Sequence, residues 1–385
     1  MWSNIYGRGL LINKITKNGN FIYLLTLLTI WLLVHTIVSG KRRELARAHV
    51  LLNIILSTCV LLAMKTKSLL LFFIFFELRV MPISIIIFLY GYQPEKLQAA
   101  LFLLIYTIIG GLPLLLFIIL KPIPLFIASP VLSLPITLGF MIKTPIFILH
   151  TWLPKAHVEA PVGGSMVLAG VLLKMGTYGL LLFLPFIKTN SLLVFYFVLS
   201  LVGSSVGAII CLRQGDLKVL VAYSSVVHMR VVRIGLIRGT ELGYTCALMM
   251  ALAHGLCSPF IFAISYWLYG ERHSRLMINN SRYWPLKAGL IMWLVALNIR
   301  VPPRLRLWSE VLIVISRLHF ISCAFPGFIA IFFLGMIYNL YLYVSCNHTK
   351  LTNPRFDIRN SRLIACVQVC LLGLLPFFRL DLFHV

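Results

Sequence analysis

Negative charge is the scarcest thing in this chain: 385 residues carry 10 Asp and Glu against 34 Lys and Arg. So few acids cannot dress the surface of a water-soluble globule. The 60% hydrophobic content and mean hydropathy of +0.97 lie well above the ~45–50% apolar residues of soluble domains. The eight cysteines form no CxxC pair. Cys366 and Cys370 are one helical turn apart, and the thiols lie in or beside apolar runs, where they act as small hydrophobes. A Walker A loop, a nicotinamide-type glycine fingerprint, metal-ligand spacing and a nucleophile triad are all missing from the sequence, and Gly110-Gly111 sits mid-span. Polar and apolar positions do not alternate, which excludes a transmembrane β-barrel. No polar stretch is long enough to be a soluble domain.

What is there is a succession of apolar runs, each long enough to cross a bilayer as a helix. They fall near 21–38, 50–64, 69–91, 99–120, 131–150, 162–186, 191–211, 217–237, 243–268, 286–318, 324–345 and 363–378. The chain therefore reads as an all-α polytopic membrane protein with about 12 transmembrane helices. Residues 1–20 are basic, and the run after them is long enough to be a span and not a cleaved signal. The net charge of +24 is scattered over short links, as expected of loops facing anionic lipid. Nothing gathers it on one soluble face, so no nucleic-acid partner is expected.

Against this background a few charges stand out. Lys143 lies in LPITLGFMIKTPIFILH and Lys174 in GSMVLAGVLLKMGTYGLLLF. An ammonium at mid-bilayer costs ~2.5–3.5 kcal/mol on insertion scales. Glu77, in LLFFIFFELRVMPISIIIF, and Glu310, in PPRLRLWSEVLIV, occupy similar settings. A Glu–Lys pair that can be made and broken acts as a proton switch, whereas a permanent pair only fixes helix packing. His150 and His157 flank a polar interruption, HTWLPKAHVEAPVGG, whose Pro154, Pro161, Gly163 and Gly164 bracket a short amphipathic segment. His228 and His254 lie deep in later spans. Imidazoles there serve either as hydrogen-bonded core groups or as proton relays, with His150, His228 and His254 the candidate relays. Haem ligation has no supporting motif. A second interruption is expected at Pro302-Pro303. Broken helices beside ionisable residues are the architecture of membrane ion pathways.

Several segments resemble the antiporter-like membrane subunits of mitochondrial NADH:ubiquinone oxidoreductase (respiratory complex I) and their cation/proton antiporter relatives. They are FFELRVMPISIIIFLYGYQPEKLQAALFLLIYTIIGGLPLL (75–115), KTPIFILHTWLPKAHVEAPVGGSMVLAGVLLKMGTYGLL (143–181), CLRQGDLKVLVAYSSVVHM (211–229), ALAHGLCSPFIFA (251–263) and ERHSRLM (271–277). The resemblance covers roughly 69–345. It implies a single antiporter-like domain with two inverted repeats, 69–211 and 217–345, each with a broken helix. Shortened N-terminal helices (1–68) precede them, and a C-terminal loop and helix (346–385) follow.

By motif it implies proton-handling roles for Glu77, Lys143, Lys174 and Glu310. Protons would be taken up near Lys143, held at Lys174 and released toward Glu310, with Glu77–Lys143 as the gate. His150, His228 and His254 match histidines of a central polar axis. It also implies multi-pass residence in the mitochondrial inner membrane and partnership with other membrane-arm subunits, including other antiporter-like chains. No cofactor is expected on this chain; NADH, flavin, iron–sulfur clusters and ubiquinone would be handled elsewhere in the complex. The alternative is a stand-alone cation/proton antiporter subunit using the same residues.

Two departures accompany the resemblance. Glu77 falls on the third span where the family places its carboxylate on the fifth, so the amino end reads two helices short. In addition, Arg79, Arg230, Arg233, Arg300, Arg304, Arg306 and Arg317 stand where hydrocarbon is expected. A guanidinium stays protonated at any accessible pH and cannot relay a proton by titrating. Such letters would arise if AGA or AGG codons, which many invertebrate mitochondria read as serine and some other lineages as glycine, were translated with the standard code. Arg238 and Arg275, at loop ends, are compatible with headgroups.

Overall fold

The computed structural model describes residues 20–39, 47–66, 68–120, 130–184, 187, 190–237, 240–272, 275–277, 298, 305–318 and 325–347. Within them the chain is helical. The helices are α1 (Asn20–Ser39), α2 (Arg47–Lys65), α3 (Leu69–Leu78), α4 (Val80–Tyr90), α5 (Lys96–Leu120), α6 (Pro130–Lys143), α7 (Trp152–Glu159) and α8 (Val162–Val167). A π-helical turn, Leu168–Leu172, leads into α9 (Leu173–Phe183). Then come α10 (Asn190–Leu212), α11 (Leu217–Leu236), α12 (Glu241–Arg272), α13 (Leu305–Leu318) and α14 (Phe325–Asn347). Among the described residues there is no strand. An isolated antiparallel bridge, Asp216 with Leu276, ties the loop before α11 to the one after α12. Helix is the expected outcome, since it satisfies every backbone polar group within its own segment.

Eight helical stretches of the described residues are long and apolar enough to span a bilayer, and Phe21–Ile37 and Ser133–Lys143 are shorter apolar helices. Of the other spans expected, 363–378 lies outside the described residues and 286–318 is described only at Asn298 and from Leu305 onward. Pro302-Pro303, with Arg300 and Arg304, also lies outside them, as do residues 1–19.

The spans divide into an inner and an outer set. In Val162–Phe183 and α11, 89% of the apolar window is buried by protein, against 39% in α2 and α5. The outer helices turn Ile109, Leu116, Phe195 and Phe333 outward, as lipid solvation requires. Ser and Thr hydroxyls inside the bundle are satisfied on their own helices: Thr36 donates to the Leu33 carbonyl at 2.8 Å, Ser84 to Met81 at 2.8 Å and Ser225 to Ala222 at 2.7 Å.

The helix expected over 131–150 stops at Lys143. Pro145 cannot donate a backbone N–H and disfavours α geometry at Thr144. Residues 144–151 leave the helical path, and Ile148 adopts φ 80°. The amphipathic segment is α7, but Gly163 and Gly164 belong to the first turn of α8 and do not bracket it. Lys218 secures this piece by donating to the carbonyls of Val158 at 2.9 Å and Ala160 at 2.7 Å.

Candidate functional site

Two close helix crossings position the charged side chains. At the first, α5 meets α6 through glycine: a methyl group at Gly139 would stand 2.7 Å from the Gly110 carbonyl oxygen, and one at Gly111 would stand 2.9 Å from Glu77 Oε1. Small residues let backbones approach where lipid supplies no hydrophobic drive between helices. The approach brings α3 and the end of α6 together, and Lys143 Nζ donates to Glu77 Oε1. The Lys143 ammonium also lies 3.9 Å from the Phe76 ring centroid, a cation–π contact. Lys143 is buried and Glu77 partly so.

At the second crossing Gly170 and Gly255 face each other; a methyl group at Gly255 would stand 3.1 Å from the Gly170 carbonyl oxygen. Gly170 lies inside the π turn. Such turns widen a helix by one residue and favour functional sites. Lys174 is fully buried one turn later. Its Nζ donates back to the Ala169 carbonyl and lies 2.7 Å from His254 Nδ1 on α12.

From His254 the polar line continues. The rings of His254 and His228 are 5.8 Å apart. His228 Nε2 contacts the Arg306 guanidinium and the Tyr338 hydroxyl, the latter at 3.0 Å, and His228 Nδ1 lies 3.8 Å from Glu310 Oε1. Arg306 Nε is 3.6 Å from the same carboxylate oxygen, and its NH1 donates to Asn298 Oδ1 at 2.5 Å. Glu310 and His228 are buried.

The structure thus brings Glu77 to Lys143, and Lys174 through His254 and His228 to Glu310. Among the described residues no hydrogen bond joins the two groups. Their link is packing: a methyl group at Gly176, two residues past Lys174, would stand 3.4 Å from Lys143 Cβ. His150 does not touch either lysine. Its ring lies against Phe147 and Tyr223, with centroids 5.7 and 6.1 Å away. His157 is fully buried and stacks on Phe262 at 4.6 Å.

Sequence reasoning missed Tyr338, Asn298, Lys218 and Asn339, whose Oδ1 accepts from Asn298 Nδ2 at 2.7 Å. Each is an ordinary polar residue whose place shows only when helices far apart in sequence meet. The π turn left no sequence signal beyond Gly170.

The profile of the family described as NADH:quinone oxidoreductase/Mrp antiporter, TM, matches residues 66–121 and 123–337. NADH-ubiquinone oxidoreductase chain 4 of Lumbricus terrestris is 36% identical over 379 residues, covering 89% of this chain and 82% of that protein. The chain 4 of Albinaria caerulea is 37% identical over 327 residues, covering 79% and 75%. A chain in the respiratory complex I of Thermus thermophilus with bound NADH shares the fold with TM-score 0.78 at 21% identity, over 95% of this chain and 83% of that one. A chain in an archaeal respiratory membrane complex, the membrane-bound sulfane sulfur reductase, does so with TM-score 0.80 at 16% identity, over 95% and 80%. With the family profile covering most of its length, the chain belongs to the NADH:quinone oxidoreductase/Mrp antiporter membrane family, among the NADH-ubiquinone oxidoreductase chain 4 proteins.

Proposed function

We propose that this subunit moves protons along the buried side chains just described, with Glu77–Lys143 as gate, Lys174 as store, and His254, His228 and Glu310 as the way out. The chain is a multi-pass subunit of the mitochondrial inner membrane and works with other membrane-arm chains of NADH-ubiquinone oxidoreductase. NADH oxidation and quinone reduction then take place on other subunits, and this chain supplies a protonatable path and no redox centre of its own.

The observation that carries the reading is the contact of Lys174 with His254, two titratable groups buried at mid-span and 80 positions apart in sequence. Fixed helix packing needs no such pair, because an apolar contact would serve it without the cost of desolvation. Arginine could not do the same work, because it does not give up its proton. The donors divide between 69–211, with Glu77, Lys143 and Lys174, and 217–345, with His228, His254 and Glu310. This supports reading those stretches as two halves meeting at one path. A stand-alone antiporter is disfavoured by the chain 4 relatives, which span most of this chain. His150 stays outside the route as a packing residue.

The test is Lys174→Met in the intact complex, reconstituted in vesicles. Protons translocated per NADH oxidised fall while the subunit still assembles. Unchanged pumping by an assembled variant sinks the route.

A further inference from the structure

Arg230 and Arg233 lie one turn apart on α11, and neither reaches solvent: they are 0% and 1% exposed. Arg79, at the junction of α3 and α4, is 2% exposed. Among the described residues none of the three forms an ion pair with a carboxylate. Their hydrogen-bond partners are neutral, and those of Arg230 and Arg233 are incomplete, whereas Arg79 has the Glu77 carboxylate in its vicinity and the Phe76 ring beneath it at 4.3 Å. Arg230 NH1 presses on the Gly203 carbonyl, Nε lies 3.5 Å from the Pro145 carbonyl, and NH2 has no partner. Arg233 reaches Ser200 Oγ at 3.4 Å and Thr144 Oγ1 at 3.2 Å, and its Nε has none. Arg79 donates to the Phe76 and Leu172 carbonyls at 2.9 and 3.2 Å.

A permanently charged, desolvated group without a counter-charge is among the costliest features a fold can hold. This applies in full to Arg230 and Arg233, which also repel each other at i,i+3, and is softened at Arg79 by Glu77. Around position 230 the surroundings are shaped for something smaller. Gly203 and Gly207, spaced i,i+4 on α10, face position 230. A methyl group at Gly207 would stand 2.9 Å from Arg230 NH1. In membranes that spacing lets two helices close on a small side chain, yet here the guanidinium fills the groove. Both cations also sit beside the break that follows Lys143.

We propose that positions 79, 230 and 233 are AGA or AGG codons read in the organelle as a small neutral residue, serine or glycine, so that the protein as synthesised carries no guanidinium there. A serine at each would bond a carbonyl one turn back, as Ser225 does on the same helix. Arg306 differs: Glu310 lies within ion-pair distance of it, and the inference does not extend to it. Burial and packing at these positions are independent of the proton route.

The native complex, purified from mitochondria and digested in parallel with chymotrypsin and trypsin, is sequenced by tandem mass spectrometry across 69–90 and 217–237. Serine or glycine masses are expected at all three positions, with no tryptic cut after any of them, and the gene carries AGA or AGG at each. An arginine mass, a tryptic cut or a CGN codon at any of the three overturns the proposal.

Discussion

Lys174 and His254 meet end to end, Nζ to Nδ1, at 2.7 Å in a fully protein-lined setting. One hydrogen occupies such a contact, so when the ammonium donates, Nδ1 is bare and the ring proton sits on Nε2, the nitrogen's partner across the ring. The tautomer of the ring thus follows from which of the two groups holds the shared proton.

The need for a titratable ring in this pair is tested at His254. His254→Gln keeps a hydrogen-bonding side chain and loses the titratable ring. Proton transfer through the subunit is expected to fall by roughly a hundredfold, the low end of general acid–base contributions, with assembly unchanged on native gels. Pumping that survives in His254→Gln but not in His254→Ala would assign the residue to packing alone.

At Lys143, substitution by arginine retains a cation for Glu77 and for the Phe76 ring. The guanidinium holds its proton, so Lys143→Arg is expected to assemble and fail to pump, as measured by proton uptake in vesicles. Glu77→Gln has a different signature. It leaves a buried ammonium without its counter-charge, which costs up to about 3–5 kcal/mol and lowers the temperature at which the subunit dissociates from the complex.

The α5–α6 crossing makes a steric prediction. Gly139→Ala places a methyl group 2.7 Å from a backbone oxygen that cannot swing away. Overpacking of this kind costs about 1–3 kcal/mol, read as a lower dissociation temperature. Gly111→Ala pushes instead on the Glu77 carboxylate, a movable group. It is expected to change pumping more than stability.

The π turn holds Lys174 in register. Deleting Val171 removes the extra residue and closes the widened turn to an ordinary α-helix, with the flanking segments keeping their facing. The i−5 carbonyl that Lys174 reaches at Ala169 is then withdrawn into the regular ladder. The variant is expected to insert and assemble, since the span stays apolar, and to lose pumping. Full activity in the deletion variant would show that the widened turn is incidental.

Hydropathy was enough to mark the spans, because burial in lipid is a property of composition summed over about 20 residues. It was also enough to single out Lys143, Lys174, Glu77 and Glu310, whose charge has no cheap place in an apolar run. The break after Lys143 was legible through Pro145, although the helix ends seven residues before the limit expected at His150. His150 shows where reading by motif stops, for it lies beside the break and yet packs on Phe147 and Tyr223. Position along a chain does not reveal which way a non-helical residue points.

The amino-acid sequence alone determined that this is a helical membrane chain with costly charges at mid-depth, because the free energy of each span depends on its own side chains. Which charges face one another was decided by the tertiary structure. Lys174 reaches His254 only because Gly170 and Gly255 let two helices close to backbone contact, and His228 reaches Glu310 and Tyr338 only because α11, α13 and α14 present those faces inward. Azimuth and crossing distance belong to pairs of helices, and no single segment encodes them.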